Sequence, residues 1–65
     1  MREQKMMYKN YKGEIRERII IPYNLTFSTT RHHPKMQWLL EAFDCEKNET
    51  RVFALADCDF AMRGE

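Results

Sequence analysis

Hydrophobic and polar residues alternate along most of this chain, in short segments separated by polar turns. Side chains on a β-strand point alternately to its two faces, so this pattern predicts five strands. They lie at residues 5–11, 14–22, 23–28, 36–44 and 51–55. Gly13 falls between the first two, where a tight hairpin turn needs a residue that adopts a positive φ.

Residues 36–44 form the clearest of these segments. Trp38, Leu40 and Ala42 share one face of this strand. We expect Trp38 to anchor the core, because burial of a large aromatic ring stabilises the fold. Pro22 has no N–H donor, so it should lie at a strand end or at a bulge.

The residues after the last strand predict a different element. Residues 56–62 are expected to form a short helical turn that plugs one end of the fold, with Asp57 or Asp59 as its cap. Five short strands at hairpin spacing predict an all-β fold, a small closed or nearly closed barrel. Closure is favoured because it removes the exposed edges of a thin sheet.

The length and the cysteine content bound the class of protein. A chain of 65 residues makes one domain, residues 1–65 with a core at about 5–58, and its core is thin. Self-association into a homo-oligomer is the expected source of extra stability. The two cysteines have no Cys-x-x-Cys spacing, and neither a secretory signal nor a membrane span is evident. These features indicate free thiols, a cytoplasmic location and no membrane partner.

The net charge of +1 argues against a general nucleic-acid coat protein, which would be strongly basic. The charge is nevertheless uneven, since bases dominate residues 5–35 and acids dominate from residue 41 onward. A basic side of this kind favours binding of an anion. The alternative is that mixed charge only keeps a small domain soluble.

The polar loop at residues 29–35 is the best candidate for a ligand site. Arginine holds a phosphate group in a bidentate manner, and hydroxyl, imidazole and ammonium groups add further donors. The alternative is a solvated hairpin loop without a ligand. The candidate residues of this loop are Thr30, Arg31, His32, His33 and Lys35.

Further candidates lie on the strands. Arg16 and Arg18 share a strand face and either form a cationic stripe or pair with acids such as Glu41. Tyr8 and Tyr11 are less constrained than Trp38, and they are candidates to stack on a nucleotide base.

Metal binding and catalysis have little support in the sequence. His32 and His33 are adjacent, and they make no ligand pair with Cys45 or Cys58 at the spacing of a zinc site. Cys58 lies among acids, which raise the pKa of a thiol and weaken it as a nucleophile. We therefore expect no metal, no cofactor and no enzymatic activity.

Taken in order, several of these residues resemble a known family. Gly13, Arg18, Pro22 and Leu25 are followed by WLLEAFD and RVFALAD, which begin at Trp38 and at Arg51. Together these segments resemble the WYL domain, across nearly the whole chain. Arg18 and Arg51 occupy the positions of arginines that recur in that family.

The resemblance implies an Sm-like barrel of five strands that is not an enzyme. WYL domains are ligand-sensing modules behind a DNA-binding helix-turn-helix in bacterial and phage regulators, and their ligands are thought to be nucleotides, cyclic nucleotides or short nucleic acids. Two positions depart from the family. Leu39 replaces the tyrosine of the Trp-Tyr-Leu strand, and Asp57 stands near the position where many members carry a second arginine. No helix-turn-helix precedes the strands, so we expect a stand-alone copy of the sensor module.

The sequence therefore predicts that the chain binds a nucleotide or another phosphate-bearing signal. It would act as a sensor or a sequestering protein, for example a phage protein that counters a nucleotide signal of its host. One alternative is a protein-interaction module that docks on a host protein through an exposed patch of Ile20, Leu39 and Phe43. Another is a binder of single-stranded nucleic acid.

Overall fold

The structure is a computed structural model, and it describes residues 2–60. Five antiparallel strands form a single sheet, and a one-turn 3-10 helix lies between the fourth and fifth strands of the chain. The all-β class and the number of strands are as predicted. The elements are β1 (Gln4–Lys9), β2 (Ile15–Ser28), β3 (Gln37–Asp44), β4 (Glu49–Ala54), the 3-10 turn (Leu55–Asp57) and β5 (Cys58–Asp59). Across the sheet the strands lie in the order β4-β3-β2-β1-β5.

The second and third predicted strands are one strand, β2. Pro22 pairs with Ala42 of β3, and the register shifts between Pro22 and Asn24, so that Tyr23 is the extra residue of a bulge. The bulge is one of the two positions expected for Pro22. A proline at a bulge interrupts the ladder without ending the strand, which is why two predicted strands merge into one.

The end of the chain also differs from the prediction. The helical turn is confirmed, but it covers Leu55–Asp57, and no side chain caps it. Asp59 lies in β5, whose two residues pair with Met7 and Tyr8 of β1. The predicted turn extended to Met62, which lies outside the described residues. A strand of two residues is too short to show an alternation of polar and apolar side chains, so the sequence does not predict it.

The sheet is not closed into a barrel, so that part of the fold prediction is wrong. Within residues 2–60, β4 and β5 remain the two edges of the sheet. The 3-10 turn joins these edges through the chain, and the side chains of Tyr8 on β1 and Cys58 on β5 both hydrogen-bond to the backbone of Ala54. The backbone N–H of Ala54 at the end of β4 donates to the hydroxyl oxygen of Tyr8 on β1, at 3.2 Å. The sheet therefore curls toward closure without a continuous ladder.

Two hairpin turns are fixed by side chains that accept backbone hydrogen bonds. Between β1 and β2, Oδ1 of Asn10 accepts from the N–H groups of Lys12 and Glu14, and Gly13 has a φ of 82°. Between β3 and β4, Asn48 takes the left-handed conformation with a φ of 59°, which asparagine tolerates better than most residues. These turns place the ends of the strands that border the site described below.

The core lies on one face of the curled sheet. Leu39 and Ala54, which are paired across β3 and β4, are buried outside the main cluster. Trp38 is 50% exposed, so the prediction that it anchors the core is wrong. The strand alternation is correct there, since Leu40 and Ala42 on the same face are buried. The main cluster consists of Met6, Tyr8, Ile20, Leu40, Ala42 and Phe53.

The patch predicted from Ile20, Leu39 and Phe43 does not exist as an exposed surface. Ile20 and Leu39 are fully buried, and Phe43 is half-buried. Burial of residues on both faces of β3 results from the curl of the sheet, which alternation alone does not show. Within residues 2–60, no helix is long and apolar enough to cross a membrane.

Candidate functional site

The loop between β2 and β3 is held by hydrogen bonds between Thr30 and His33. The N–H of Thr30 donates to the carbonyl of His33 at 2.9 Å, and the reverse bond measures 3.1 Å. The N–H of His33 also lies 3.0 Å from Oγ1 of Thr30. This closed turn gives the predicted loop a defined shape.

The loop borders a cleft of about 960 Å³. The cleft is built from the first hairpin, the first half of β2, the loop and most of β4, which are separate in sequence. Its volume lies at the upper end of the range of small-molecule sites, about 300–1,000 Å³. The residues that line it are Tyr8, Asn10, Tyr11, Arg18, Thr30, His32, His33, Glu49, Thr50, Arg51, Val52 and Phe53.

The cleft brings together seven of the nine residues proposed as ligand-binding. Arg31 and Lys35 are not among its lining residues, although both belong to the same loop. Arg16, on the same strand as Arg18, is exposed and does not line the cleft either. The seven are Tyr8, Tyr11, Arg18, Thr30, His32, His33 and Arg51.

Arg18 is held from behind by a buried carboxylate. Its Nη1 lies 3.3 Å from Oδ2 of Asp44, and the side chains are 13% and 0% exposed. Oδ1 of Asp44 accepts from the N–H groups of Glu46 and Lys47, so Asp44 also fixes the β3–β4 turn. Nε of Arg18 is buried and makes no hydrogen bond. Arg18 is therefore part of the framework of the cleft as well as of its wall.

Arg51 is placed differently. Its Nη1 lies 3.1 Å from Oε2 of Glu49, and the two side chains are 39% and 58% exposed. An exposed ion pair of this kind contributes little to stability and is exchanged at low cost. Arg51 is therefore available to an anion that enters the cleft, whereas Arg18 is held in its buried ion pair with Asp44.

The two tyrosines of the cleft also differ, since one is buried and the other is exposed. Tyr8 contacts Phe53 edge to face, with ring centroids 4.9 Å apart, and it is buried in the core. The prediction that Tyr8 is free to stack on a base is therefore wrong. Burial raises the pKa of its hydroxyl, although the hydrogen bond from Ala54 opposes this. Tyr11 is 93% exposed, with Nζ of Lys12 5.8 Å from its ring centroid, so it remains open for stacking.

Five lining residues were not predicted: Asn10, Glu49, Thr50, Val52 and Phe53. Asn10 had a local signal, because asparagine before a glycine turn commonly accepts backbone hydrogen bonds. The others lie on β4, and only the curl of the sheet brings that strand beside the loop at residues 29–35.

The two cysteines lie apart from the cleft and are free thiols. Burial, with a smaller contribution from Asp57, raises the pKa of Cys58 to about 11. Its Sγ lies 3.4 Å from the carbonyl oxygen of Ala54. Within the described part of the chain, no three His, Cys, Asp or Glu side chains are grouped so that they could hold a metal ion.

No family model, curated protein or solved structure matches this chain. The WYL resemblance therefore stays a prediction.

Proposed function

We propose that the cleft binds a nucleotide or another small molecule that carries a phosphate group, without catalysis. The observation that carries this proposal is the convergence of Arg51, Thr30 and His33 with an exposed tyrosine in one cleft. These groups come from different segments of the chain. Cations and neutral donors beside an aromatic ring are the combination that a phosphate and a base require.

In this proposal the phosphate lies between β4 and the loop. Arg51 leaves Glu49 and donates to the phosphate oxygens, since the exposed pair is exchanged at low cost. Oγ1 of Thr30 accepts from the N–H of His33, and its hydroxyl hydrogen remains free to donate. Arg18 stays bonded to Asp44 and shapes the wall, and this neutral pair adds little net charge to the cleft.

The base of the ligand lies against Tyr11 at the rim. Stacking of a base on an aromatic ring contributes about 1–3 kcal/mol and tolerates different bases. Asp57, which departs from the WYL pattern, is not among the residues that line the cleft. Repulsion between its carboxylate and a bound phosphate is therefore smaller than the sequence position suggested.

The biological part of the proposal follows the WYL resemblance. In this proposal a WYL-like module acts in the cytoplasm as a sensor or as a sequestering protein, and sequestration requires abundance and a pocket, but no reaction. Encoding by a phage, as a counter to a nucleotide signal of the host, fits this reading.

Titration calorimetry with a panel of cyclic and linear purine and pyrimidine nucleotides tests the proposal. We expect Arg51→Ala to weaken binding by about tenfold to a hundredfold, because a hydrogen bond to a charged group contributes about 1.5–3 kcal/mol. His33→Ala should also weaken it. Arg16→Ala is the matched control, since it removes an equal charge outside the cleft and should leave the affinity unchanged.

Equal losses for Arg51→Ala and Arg16→Ala would instead indicate binding to diffuse charge. Affinity that requires an oligonucleotide and falls steeply with salt would favour the single-stranded nucleic-acid alternative. If no nucleotide binds the wild-type chain, the proposal is wrong.

A further inference from the structure

The second half of β2 has an open edge. β1 pairs with β2 only between Ile15 and Ile20, whereas β3 continues along the other side of β2 as far as Ser28. In the structure of residues 2–60, no strand pairs with the outer edge of residues 23–28. Backbone donors and acceptors on such an edge are a template for pairing with another strand.

This edge lacks the protection found at the other edges of the sheet. Native proteins protect edge strands with charged side chains, and β4 carries Glu49 and Arg51 while β5 carries Asp59. Residues 23–28 read YNLTFS and contain no charge, glycine or proline. The bulge at Tyr23 marks one end of this segment.

The exposed side chains on this segment are apolar. Leu25 and Phe27 lie opposite Leu40 and Trp38 on β3, so they share the face that carries the core. They are 49% and 50% exposed, although Leu40, which lies opposite Leu25, is buried in the core. Phe27 contacts Trp38 edge to face at 5.2 Å. The apolar face thus continues beyond the part of the sheet that the fold covers.

We propose that a second copy of this chain pairs with β2 along residues 24–28. With a twofold axis at Thr26, Leu25 lies opposite the partner's Phe27, and Asn24 lies opposite the partner's Ser28. Each pair then joins side chains of the same character. Because this strand is uncharged, pairing two copies of it buries no unpaired charge. An arbitrary partner strand would bring charged side chains that lack a counter-ion here.

The available area fits a reversible dimer. A standard interface buries about 800 Å² per partner, which is roughly one-sixth of the 5103 Å² surface of this chain. The half-exposed side chains of Leu25 and Phe27 supply part of this, and the strand backbone adds to it. The interface is thus small for a specific protein–protein interface, so the dimer should dissociate on dilution.

Sedimentation equilibrium of the untagged chain, over a dilution series, tests this proposal. We expect a reversible dimer for the wild type and a monomer for Leu25→Glu, which introduces two like charges across the axis. Ile15→Glu is the matched control, because Ile15 is a 63% exposed apolar residue on the paired half of the same strand. It should dimerise as the wild type does.

A mixing experiment separates loss of the interface from loss of the fold. Leu25→Glu and Leu25→Lys should each be monomeric, and an equimolar mixture should form a heterodimer, because the opposite charges are then diagonal neighbours across the twofold axis. A wild type that is monomeric at millimolar concentration would overturn the proposal. A dimer that persists in Leu25→Glu, or a mixture that stays monomeric, would overturn it as well. Nucleotide binding is measured separately, and neither result depends on it.

Discussion

Asp44 is the residue on which most of the local order around the cleft depends. Its carboxylate is fully buried, accepts two N–H groups of the β3–β4 turn and pairs with Arg18. Removal of one partner from a buried ion pair leaves the other charge without compensation, which commonly costs about 3–5 kcal/mol.

Asp44→Ala should therefore lower the free energy of unfolding by about 3 kcal/mol, measured by urea denaturation. Glu49→Ala is the control, because it removes the carboxylate of the exposed pair with Arg51 and should cost less than about 1 kcal/mol. Similar losses in the two variants would contradict the structural role given to Asp44.

Cys58 gives a prediction for alkaline pH. Burial raises the pKa of its thiol from 9.0 to about 11, so the folded state holds this proton more tightly than the unfolded state. The stability from this thiol is complete below the unfolded pKa and is lost as the pH rises toward 11. Tyr8, whose pKa is also raised, acts in the same direction.

The stability of Cys58→Ala should accordingly fall less steeply than that of the wild type between pH 9 and 11. Urea midpoints at several pH values give this comparison. Parallel curves for the two proteins would show that the thiol does not titrate differently in the folded and unfolded states.

At the scale of the elements, Tyr8 connects strands that the ladder leaves apart. Its hydroxyl oxygen is the acceptor for the N–H of Ala54, and its ring packs on Phe53. Tyr8→Phe keeps the ring and leaves that N–H buried without a partner, which should cost about 1–3 kcal/mol. Tyr11→Phe removes a hydroxyl from a 93% exposed ring and should have no measurable effect. Equal stability of the two variants would argue against the Tyr8 connection.

The strands show what the sequence alone determines. Residues 36–44 were predicted within one residue of β3, because alternation over eight residues has few other interpretations. Pro22 was equally compatible with a strand end and a bulge, so the continuity of β2 required the pairing with β3. β5 has two residues and is defined by its pairing with β1 alone.

The same distinction applies to individual faces. Alternation correctly placed Trp38 on the face of Leu40 and Ala42, but burial depends on how far the neighbouring strands extend. Arg18 was predicted either to bind a ligand or to pair with an acid. The structure pairs it with Asp44 and also places it on the wall of the cleft.

At the scale of the whole molecule, the open sheet explains both proposed surfaces. The curl of the sheet brings β4 beside the loop at residues 29–35, which forms the cleft. Incomplete coverage leaves Leu25 and Phe27 exposed on the far half of β2. The residue types in the loop were visible in the sequence, whereas their proximity to Arg51 and Tyr11 depended on long-range pairing.

Native mass spectrometry of the untagged chain, purified gently from cells, tests the central claim most directly. We predict a non-covalent adduct with the mass of a nucleotide, and Arg51→Ala should carry much less of it than Arg16→Ala. A chain that is isolated bare, and that stays bare when it is offered cyclic and linear nucleotides, would contradict nucleotide binding by the cleft.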